Sequence, residues 1–147
     1  YLRSDGTGRE FLRGTHGGSS NAITEESLKE KNHFIYQDGK TVFKNAVFNM
    51  ADAAVKILDR NNLDNDKVDW LVAHQANKRI IDATANRINL DPNKVMMNIE
   101  KYGNTSSASI PIAIHEAKEA GLISSGCLTL LVVVGAGLTW GAALIRW

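Results

Sequence analysis

The chain has 147 residues, of which 44% are hydrophobic, enough for one core and far from the composition of a disordered chain. Its 17 Lys and Arg residues against 16 Asp and Glu leave a net charge of +1, so bulk charge predicts neither nucleic acid nor membrane as a partner. A single cysteine excludes an internal disulfide and favours a cytoplasmic location, and the longest apolar run, Leu128 to Val134, is short of the ~20 residues of a membrane span.

The first half of the chain predicts a loop-rich start, a long helix and a buried strand. Residues 3–40 are rich in Gly, Ser, Asn and charged residues without sustained periodicity, which is typical of loops with short elements. Apolar residues then recur at spacings of three and four from Thr41 to Arg60, which predicts a helix. Turn formers follow, and the apolar stretch Val68 to Ala73 predicts a buried strand that ends directly before His74.

The second half continues the alternation of helices and strands. A helix is predicted after the sequence HQAN, a strand over Lys94 to Ile99, a helix over Thr105 to Gly121, and a hairpin of two strands over Leu128 to Val134 and Leu138 to Ile145. Pro111 should kink the helix that contains it or shift its start. This order predicts an α/β sheet.

Two uncharged polar residues follow predicted strands. His74 comes directly after one strand, and Asn104 lies five residues after the end of the next. Ligands of open α/β sheets bind at the carboxyl ends of the strands, so we expect both side chains to face one pocket. A neutral imidazole donating through Nε2 and an amide donating through Nδ2 suit a carbonyl oxygen on which negative charge develops.

The sequences HQANKRI, YGNTSSASIP and GAGLTWGAALIRW, in this order and spacing, resemble the C-terminal half of the β-ketoacyl-acyl carrier protein (ACP) synthase III family. SDGTG near the start and DGKTVFKNAV before the long helix fit the same family. The resemblance implies an α/β thiolase-like fold with a mixed five-stranded sheet flanked by helices. It also implies that residues 1–147 are the C-terminal domain of a condensing enzyme, which agrees with a chain that begins at Tyr1 rather than at methionine.

The family uses a Cys-His-Asn triad, and its histidine and asparagine correspond to His74 and Asn104. The resemblance implies decarboxylative Claisen condensation of an acyl-CoA with malonyl-ACP at the start of fatty-acid synthesis, with these two thioesters as substrates and without a cofactor. The implied partners are acyl carrier protein, coenzyme A thioesters, the N-terminal half of the same enzyme and a second copy in a homodimer.

Further site residues are implied by their place in the family motifs. Asn77 corresponds to a residue near the pantetheine end of the site, and the backbone of Gly135, Ala136 and Gly137 to the loop that completes an oxyanion hole. Ser4, Asp5 and Gly6 correspond to a segment beside the CoA channel. Arg79, with its neighbour Lys78, corresponds to a basic position that docks the acidic carrier protein, although a solvated helix face would give the same pattern.

The only cysteine does not fit the family nucleophile. Cys127 opens an apolar strand, which is typical of a small buried thiol, whereas a reactive thiolate favours a helix N-terminus or cationic neighbours. We therefore expect the nucleophile in the N-terminal half and no activity from this chain alone. His16, His33 and His115 show no metal-ligand spacing with His74, so no metal site is expected.

Two other interpretations of the sequence remain open. A quinolone- or polyketide-type starter synthase would share the Cys-His-Asn triad and differ in its acyl pocket. A fragment that only dimerises or scaffolds would be a non-catalytic assembly module. A companion segment with a cysteine at the start of a helix would distinguish an enzyme half from such a module.

Overall fold

Six strands and five α-helices follow one another in the computed structural model, which describes residues Tyr1–Trp147. The strands are β1 (Leu2–Ser4), β2 (Leu12–Gly14), β3 (Ile35–Gln37), β4 (Trp70–Ala73), β5 (Leu128–Gly135) and β6 (Thr139–Arg146). The helices are α1 (Glu25–Lys29), α2 (Gly39–Arg60), α3 (Lys78–Arg87), α4 (Ile99–Tyr102) and α5 (Ser109–Glu119). None of these helices has the length and apolar character needed to cross a membrane.

Four strands form one mixed sheet in the order β1-β6-β5-β4. Strands β4 and β5 are parallel, whereas β5 pairs with β6 and β6 with β1 in antiparallel register. Strands β2 and β3 form a separate two-stranded sheet. The predicted hairpin and the mixed sheet with flanking helices are thereby confirmed.

Helices cover both faces of the main sheet. The predicted long helix is α2, which begins where the Asp38 carboxylate accepts a hydrogen bond from the Thr41 amide at 3.0 Å. Its apolar stripe, with Met50 fully buried, packs with α3 into one core cluster, and burying such a side chain stabilises the fold by about 1.5–3 kcal/mol. Helix α5 closes the opposite face, where Ala113 and Ala117 pack against Val72 of β4.

The prediction of a strand over Lys94–Ile99 is wrong, and the main sheet has four strands rather than five. Only one bridge forms in this segment, between Val95 and Leu71 of β4. The next backbone groups bond to a side chain instead of a strand, because the Gln75 carboxamide accepts hydrogen bonds from the amides of Asn98 and Ile99. The fourth strand of the sheet is β1, which lies in the segment expected to be loops with short elements.

The helix predicted over Thr105–Gly121 is shorter and starts later. A 3-10 turn occupies Ser106–Ala108, and α5 begins at Ser109. Pro111 therefore lies in the first helical turn, where the missing N–H has no intrahelical partner to lose. The proline shifts the helix start, as expected.

Candidate active site

His74 lies at the carboxyl end of β4, as predicted. Its backbone amide donates a hydrogen bond of 2.9 Å to the Val132 carbonyl of β5, which continues the parallel pairing one residue beyond the strand. The side chain is half-buried, and this burial lowers the pKa of the His74 imidazole from its ordinary value. The neutral ring is therefore favoured at neutral pH.

Asn104 lies in a tight turn between α4 and α5. Gly103, at φ 68° and ψ −160°, occupies a backbone region that is essentially restricted to glycine. The Asn104 carboxamide oxygen accepts a hydrogen bond of 2.9 Å from the amide of Ser106, whose φ is +53°. This bond fixes the orientation of the Asn104 side chain, because only its oxygen can accept a backbone proton.

Ser109 connects the two predicted site residues. Its hydroxyl oxygen lies 2.7 Å from Nδ1 of His74 and 2.8 Å from the carbonyl oxygen of Ser106. The backbone amide of Ser106 in turn donates to the side-chain oxygen of Asn104, so a chain of hydrogen bonds links the imidazole to the asparagine turn. Nε2 of His74 and Nδ2 of Asn104 make no hydrogen bond within the chain, which leaves each residue with one free polar atom.

Gln75 fastens the His74 loop to the segment that leads to Asn104. The side chain is fully buried, and its Nε2 donates to the carbonyl oxygens of Ala73 at 3.0 Å and Met96 at 3.2 Å. Its Oε1 accepts from the amides of Asn98 and Ile99, both at 3.1 Å. All four hydrogen-bonding positions of the carboxamide are used, as a buried amide requires.

A carboxylate on α5 holds α4 in place on the other side of the asparagine turn. Glu116 accepts hydrogen bonds from Lys101 Nζ at 2.6 Å, the Tyr102 hydroxyl at 2.7 Å and Asn98 Nδ2 at 2.8 Å. These hydrogen bonds lower the pKa of Glu116 to about 2, and the bond from Lys101 makes the largest contribution. The turn that carries Asn104 is thus supported at both ends.

The turn between β5 and β6 lies at the same end of the sheet as His74. Gly135 ends β5 and Gly137 has φ +128°, while Ala136 is exposed between them. Because β4 and β5 are parallel, their carboxyl ends, with His74 and the Gly135–Gly137 turn, share one edge of the sheet. The assignment of Gly135, Ala136 and Gly137 to an oxyanion hole stays a prediction.

The segment Ser4, Asp5 and Gly6 lies against the same turn. The backbones of Asp5 and Leu138 exchange two hydrogen bonds, of 2.8 and 2.9 Å. The Asp5 carboxylate accepts from Thr7 and caps the short helix that starts at Gly6. An open cleft of about 410 Å³ adjoins this junction and is lined by Leu2, Arg3, Ser4, Val133, Gly135, Thr139 and Trp140. His74 and Asn104 do not line it.

Asn77, Lys78 and Arg79 form the start of α3. Asn77 is its N-cap, since the carboxamide oxygen accepts a hydrogen bond of 2.9 Å from the Arg79 amide. Lys78 pairs with Asp82 one turn later at 3.0 Å, and both side chains are about half exposed. The Arg79 side chain is exposed and contacts the Phe43 ring.

Cys127 lies at the wrong end of the sheet to act with His74. It precedes β5, and the residue of β5 that pairs with Ala73, just before His74, is Val132. Five residues of extended chain separate Cys127 from Val132, which corresponds to about 16 Å. Its sulfur packs beside Thr129 with the apolar cluster under α5, as expected of a structural thiol.

Gln75, Ser109 and Glu116 were not predicted from the sequence. A sequence signal existed for Ser109, because it stands four and eight residues before Ala113 and Ala117 and therefore in phase with the buried stripe of α5. A serine in such a stripe must find a hydrogen-bond partner inside the protein. The sequence indicated the burial of Gln75 only weakly, because Gln75 is a polar residue that lies shortly after a buried strand and directly before Ala76.

Comparison with known proteins identifies the class as the condensing enzymes with a thiolase-like fold. A crystal structure of 3-oxoacyl-(acyl carrier protein) synthase III from Pseudomonas aeruginosa superimposes over the whole chain with a TM-score of 0.87 and 35% identity, covering 44% of that protein. The corresponding Thermus thermophilus structure gives a TM-score of 0.86 and 39% identity, again over the whole chain and 44% of the protein.

Residues 58–147 match the family model "3-Oxoacyl-[acyl-carrier-protein (ACP)] synthase III C terminal". The chain is 50% identical over 147 residues to the β-ketoacyl-[acyl-carrier-protein] synthase III of Chlorobaculum tepidum. The aligned region covers 99% of this chain and 45% of that protein. The chain therefore belongs to the synthase III family and spans the family's C-terminal domain. It spans less than half the length of the relatives that it matches.

Proposed function

We propose that the protein containing this chain catalyses the decarboxylative condensation of an acyl-CoA with malonyl-ACP, the initiating reaction of fatty-acid synthesis. The names of its relatives, which are β-ketoacyl-ACP synthases III, support this reaction. One observation carries the proposal. His74 and Asn104 are each anchored through one polar atom, on Ser109 and Ser106, and each keeps a second polar atom without a partner in the chain.

The two free positions suit the chemistry of decarboxylation. When carbon dioxide leaves the malonyl thioester, the electron pair of the broken C–C bond delocalises onto the thioester carbonyl oxygen. N–H groups of His74 and Asn104 stabilise this enolate oxygen, and being neutral they form no salt bridge with the substrate carboxylate before it leaves. The enolate carbon then attacks the acyl group on the enzyme cysteine, and the cysteine thiolate is the leaving group.

The other parts of the reaction come from groups around the same edge. The nucleophilic cysteine is supplied by the N-terminal half, since Cys127 lies at the opposite end of β5. Backbone N–H groups of Gly135, Ala136 and Gly137 complete the oxyanion hole for the acyl thioester. Asn77 and the Ser4–Gly6 segment lie along the path of the pantetheine and CoA.

Arg79 and Lys78 dock the acidic carrier protein at the start of α3. We place the reaction in the cytoplasm and assign it to a homodimer of the intact enzyme.

The experiment is an assay of the full-length protein with malonyl-ACP labelled in its free carboxyl group. We expect labelled carbon dioxide to be released together with a β-ketoacyl-ACP product, in amounts that depend on added acyl-CoA. Absence of both products with a range of acyl-CoA primers would contradict the proposal and favour a non-catalytic assembly module.

A further inference from the structure

We propose that Gln75 is a positioning residue that fixes the spacing between His74 and Asn104, so that both side chains reach one oxygen of the malonyl thioester at once. The inference deepens the proposed function and rests on it, because that function assigns both side chains to the same carbonyl oxygen. The Gln75 side chain is fully buried. It acts only through the backbone segments that carry the two site residues.

One side of the Gln75 carboxamide holds the end of β4. Its Nε2 donates to the carbonyl oxygens of Ala73 at 3.0 Å and Met96 at 3.2 Å. Ala73 is the last residue of β4 and directly precedes His74, whereas Gln75 directly follows it. The side chain therefore reaches back past His74 and ties together the backbone on both sides of that residue.

The other side of the carboxamide holds the start of α4, the helix that leads to Asn104. Its Oε1 accepts hydrogen bonds from the amides of Asn98 and Ile99, both at 3.1 Å. Asn98 is the N-cap of α4, but its side chain makes no capping hydrogen bond and donates to Glu116 instead. Gln75 therefore supplies the acceptor that the first amides of this helix otherwise lack.

The backbone of Gln75 contacts the far end of the same segment. Its amide donates to the Ser109 hydroxyl at 3.3 Å, and this hydroxyl donates to the Ser106 carbonyl oxygen at 2.8 Å. The Ser106 amide in turn donates to the Asn104 side chain. Gln75 is thus connected to the chain before and after Asn104, as well as to the chain on both sides of His74.

Amide hydrogen exchange of the full-length protein tests this positioning without turnover. One reporter is the amide of Ala76, which donates to the His74 carbonyl oxygen at 2.8 Å. The other is the amide of Gly103, which donates to the Ile99 carbonyl oxygen at 2.7 Å. Neither reporter bonds to Gln75. Gln75→Met keeps the approximate size of the side chain but cannot replace its four hydrogen bonds, so we expect both reporters to exchange at least about 10-fold faster.

Kinetic measurements test whether the two site residues depend on each other through Gln75. Malonyl decarboxylation should fall about 10- to 100-fold in Gln75→Met, because a misplacement of about 1 Å can lower a rate ~10²-fold, whereas acylation by acyl-CoA should change far less. In an Asn104→Ala background the same substitution should cost less than about 3-fold, because the substrate then aligns on His74 alone. A merely destabilising substitution would lower the rate by the same factor in both backgrounds.

Thr84→Val is the matched control, because it deletes a fully buried hydroxyl whose hydrogen bond, to the Ile80 carbonyl oxygen, stays within α3. It should leave the reporter amides and the decarboxylation rate unchanged. Gln75→Glu is the conservative variant, because it keeps the shape and the acceptor contacts to α4, and burial favours its protonated form, which keeps one donor. It should lie between wild type and Gln75→Met in both measurements, and it carries the test if Gln75→Met does not fold.

Two results would overturn the proposal. One is faster exchange confined to Asn98 and Ile99, the direct partners of the Gln75 side chain on α4. The other is an equal loss of decarboxylation in the wild-type and Asn104→Ala backgrounds. The exchange measurement needs no turnover, so an inactive wild-type protein with the expected exchange would contradict the proposed function and leave the positioning role of Gln75 standing.

Discussion

The guanidinium of Arg79 lies over the ring of Phe43, with 5.3 Å between Cζ and the ring centroid. Phe43 is in the second turn of α2 and Arg79 is in the first turn of α3. A cation–π contact at an exposed site contributes about 0.5–1 kcal/mol, enough to favour one orientation of the side chain and too little to remove its charge from solvent. Arg79 therefore presents an oriented positive charge beside the His74 loop.

Reversing this charge tests the docking of the carrier protein. Arg79→Glu in the full-length protein should raise KM for malonyl-ACP about 10-fold or more, because an acidic carrier is then repelled, while acylation by acyl-CoA changes little. The effect should shrink as salt rises. Arg87→Glu is the matched control, since Arg87 is also exposed, also contacts a phenylalanine ring and lies eight residues further along α3. Equal KM values for the two variants would contradict a docking role for Arg79 and favour its interpretation as part of a solvated helix face.

Gly103 should be required for the conformation of the asparagine turn. Gly103→Ala places a side chain in a backbone region that only glycine adopts readily, so we expect a loss of stability of about 1–3 kcal/mol and slower decarboxylation. An added Cβ would meet no atom within 4 Å at Gly103 or at Gly39, so crowding is excluded at both positions. Gly39→Ala lies at the start of α2 with an ordinary φ and should be neutral or stabilising. Urea unfolding measures both effects, and equal stability of the two variants would count against a strained turn.

The Gln75 side chain should contribute strongly to stability. Gln75→Ala leaves two buried carbonyl oxygens and two amide groups without their partner, and each costs about 1–3 kcal/mol before local rearrangement. We expect a net loss of about 3 kcal/mol in the free energy of unfolding. Gln37→Ala, at an exposed position of β3, should cost less than ~0.5 kcal/mol. A loss below ~1 kcal/mol for Gln75→Ala would show that the His74 loop does not depend on the four hydrogen bonds of the Gln75 side chain.

The 147-residue chain expressed by itself should have no condensing activity and should aggregate or pair with a companion segment. It contains no cysteine near His74, and it exposes large apolar side chains such as Leu2 at 78% and Ile35 at 76%. Exposed apolar side chains of this kind favour association. Light scattering and an assay of carbon dioxide release measure the two properties. A stable monomer, or condensation that is lost in Cys127→Ser, would contradict this expectation.

Local patterns were sufficient to predict α2 and the position of His74. The stripe that includes Met50 and Ile57 has the helical period over more than four turns, and four consecutive apolar residues lead directly to His74. Both signals depend on near neighbours in the chain, so no knowledge of tertiary contacts was needed. The mixed sheet followed from the order of such elements.

The parts that local patterns did not predict depend on distant contacts. Strand β1 exists because Leu2 pairs with Gly141, almost the whole chain away, and its three residues carry no pattern of their own. The segment Lys94–Ile99 has the composition of a strand, but the amides of Asn98 and Ile99 donate hydrogen bonds to the Gln75 side chain instead of to a strand. The contact between Ser109 and His74 likewise joins residues 35 positions apart in the chain.

The most direct test of the account is to measure the two half-reactions separately in full-length His74→Ala and Asn104→Ala. The predicted result is a ~10²–10³-fold loss of malonyl-ACP decarboxylation in each variant, because each loses a preorganised donor to the enolate oxygen, with a much smaller effect on acylation of the cysteine by acyl-CoA. Equal losses in the two half-reactions, or decarboxylation at the wild-type rate, would contradict the assignment of His74 and Asn104 to the malonyl carbonyl.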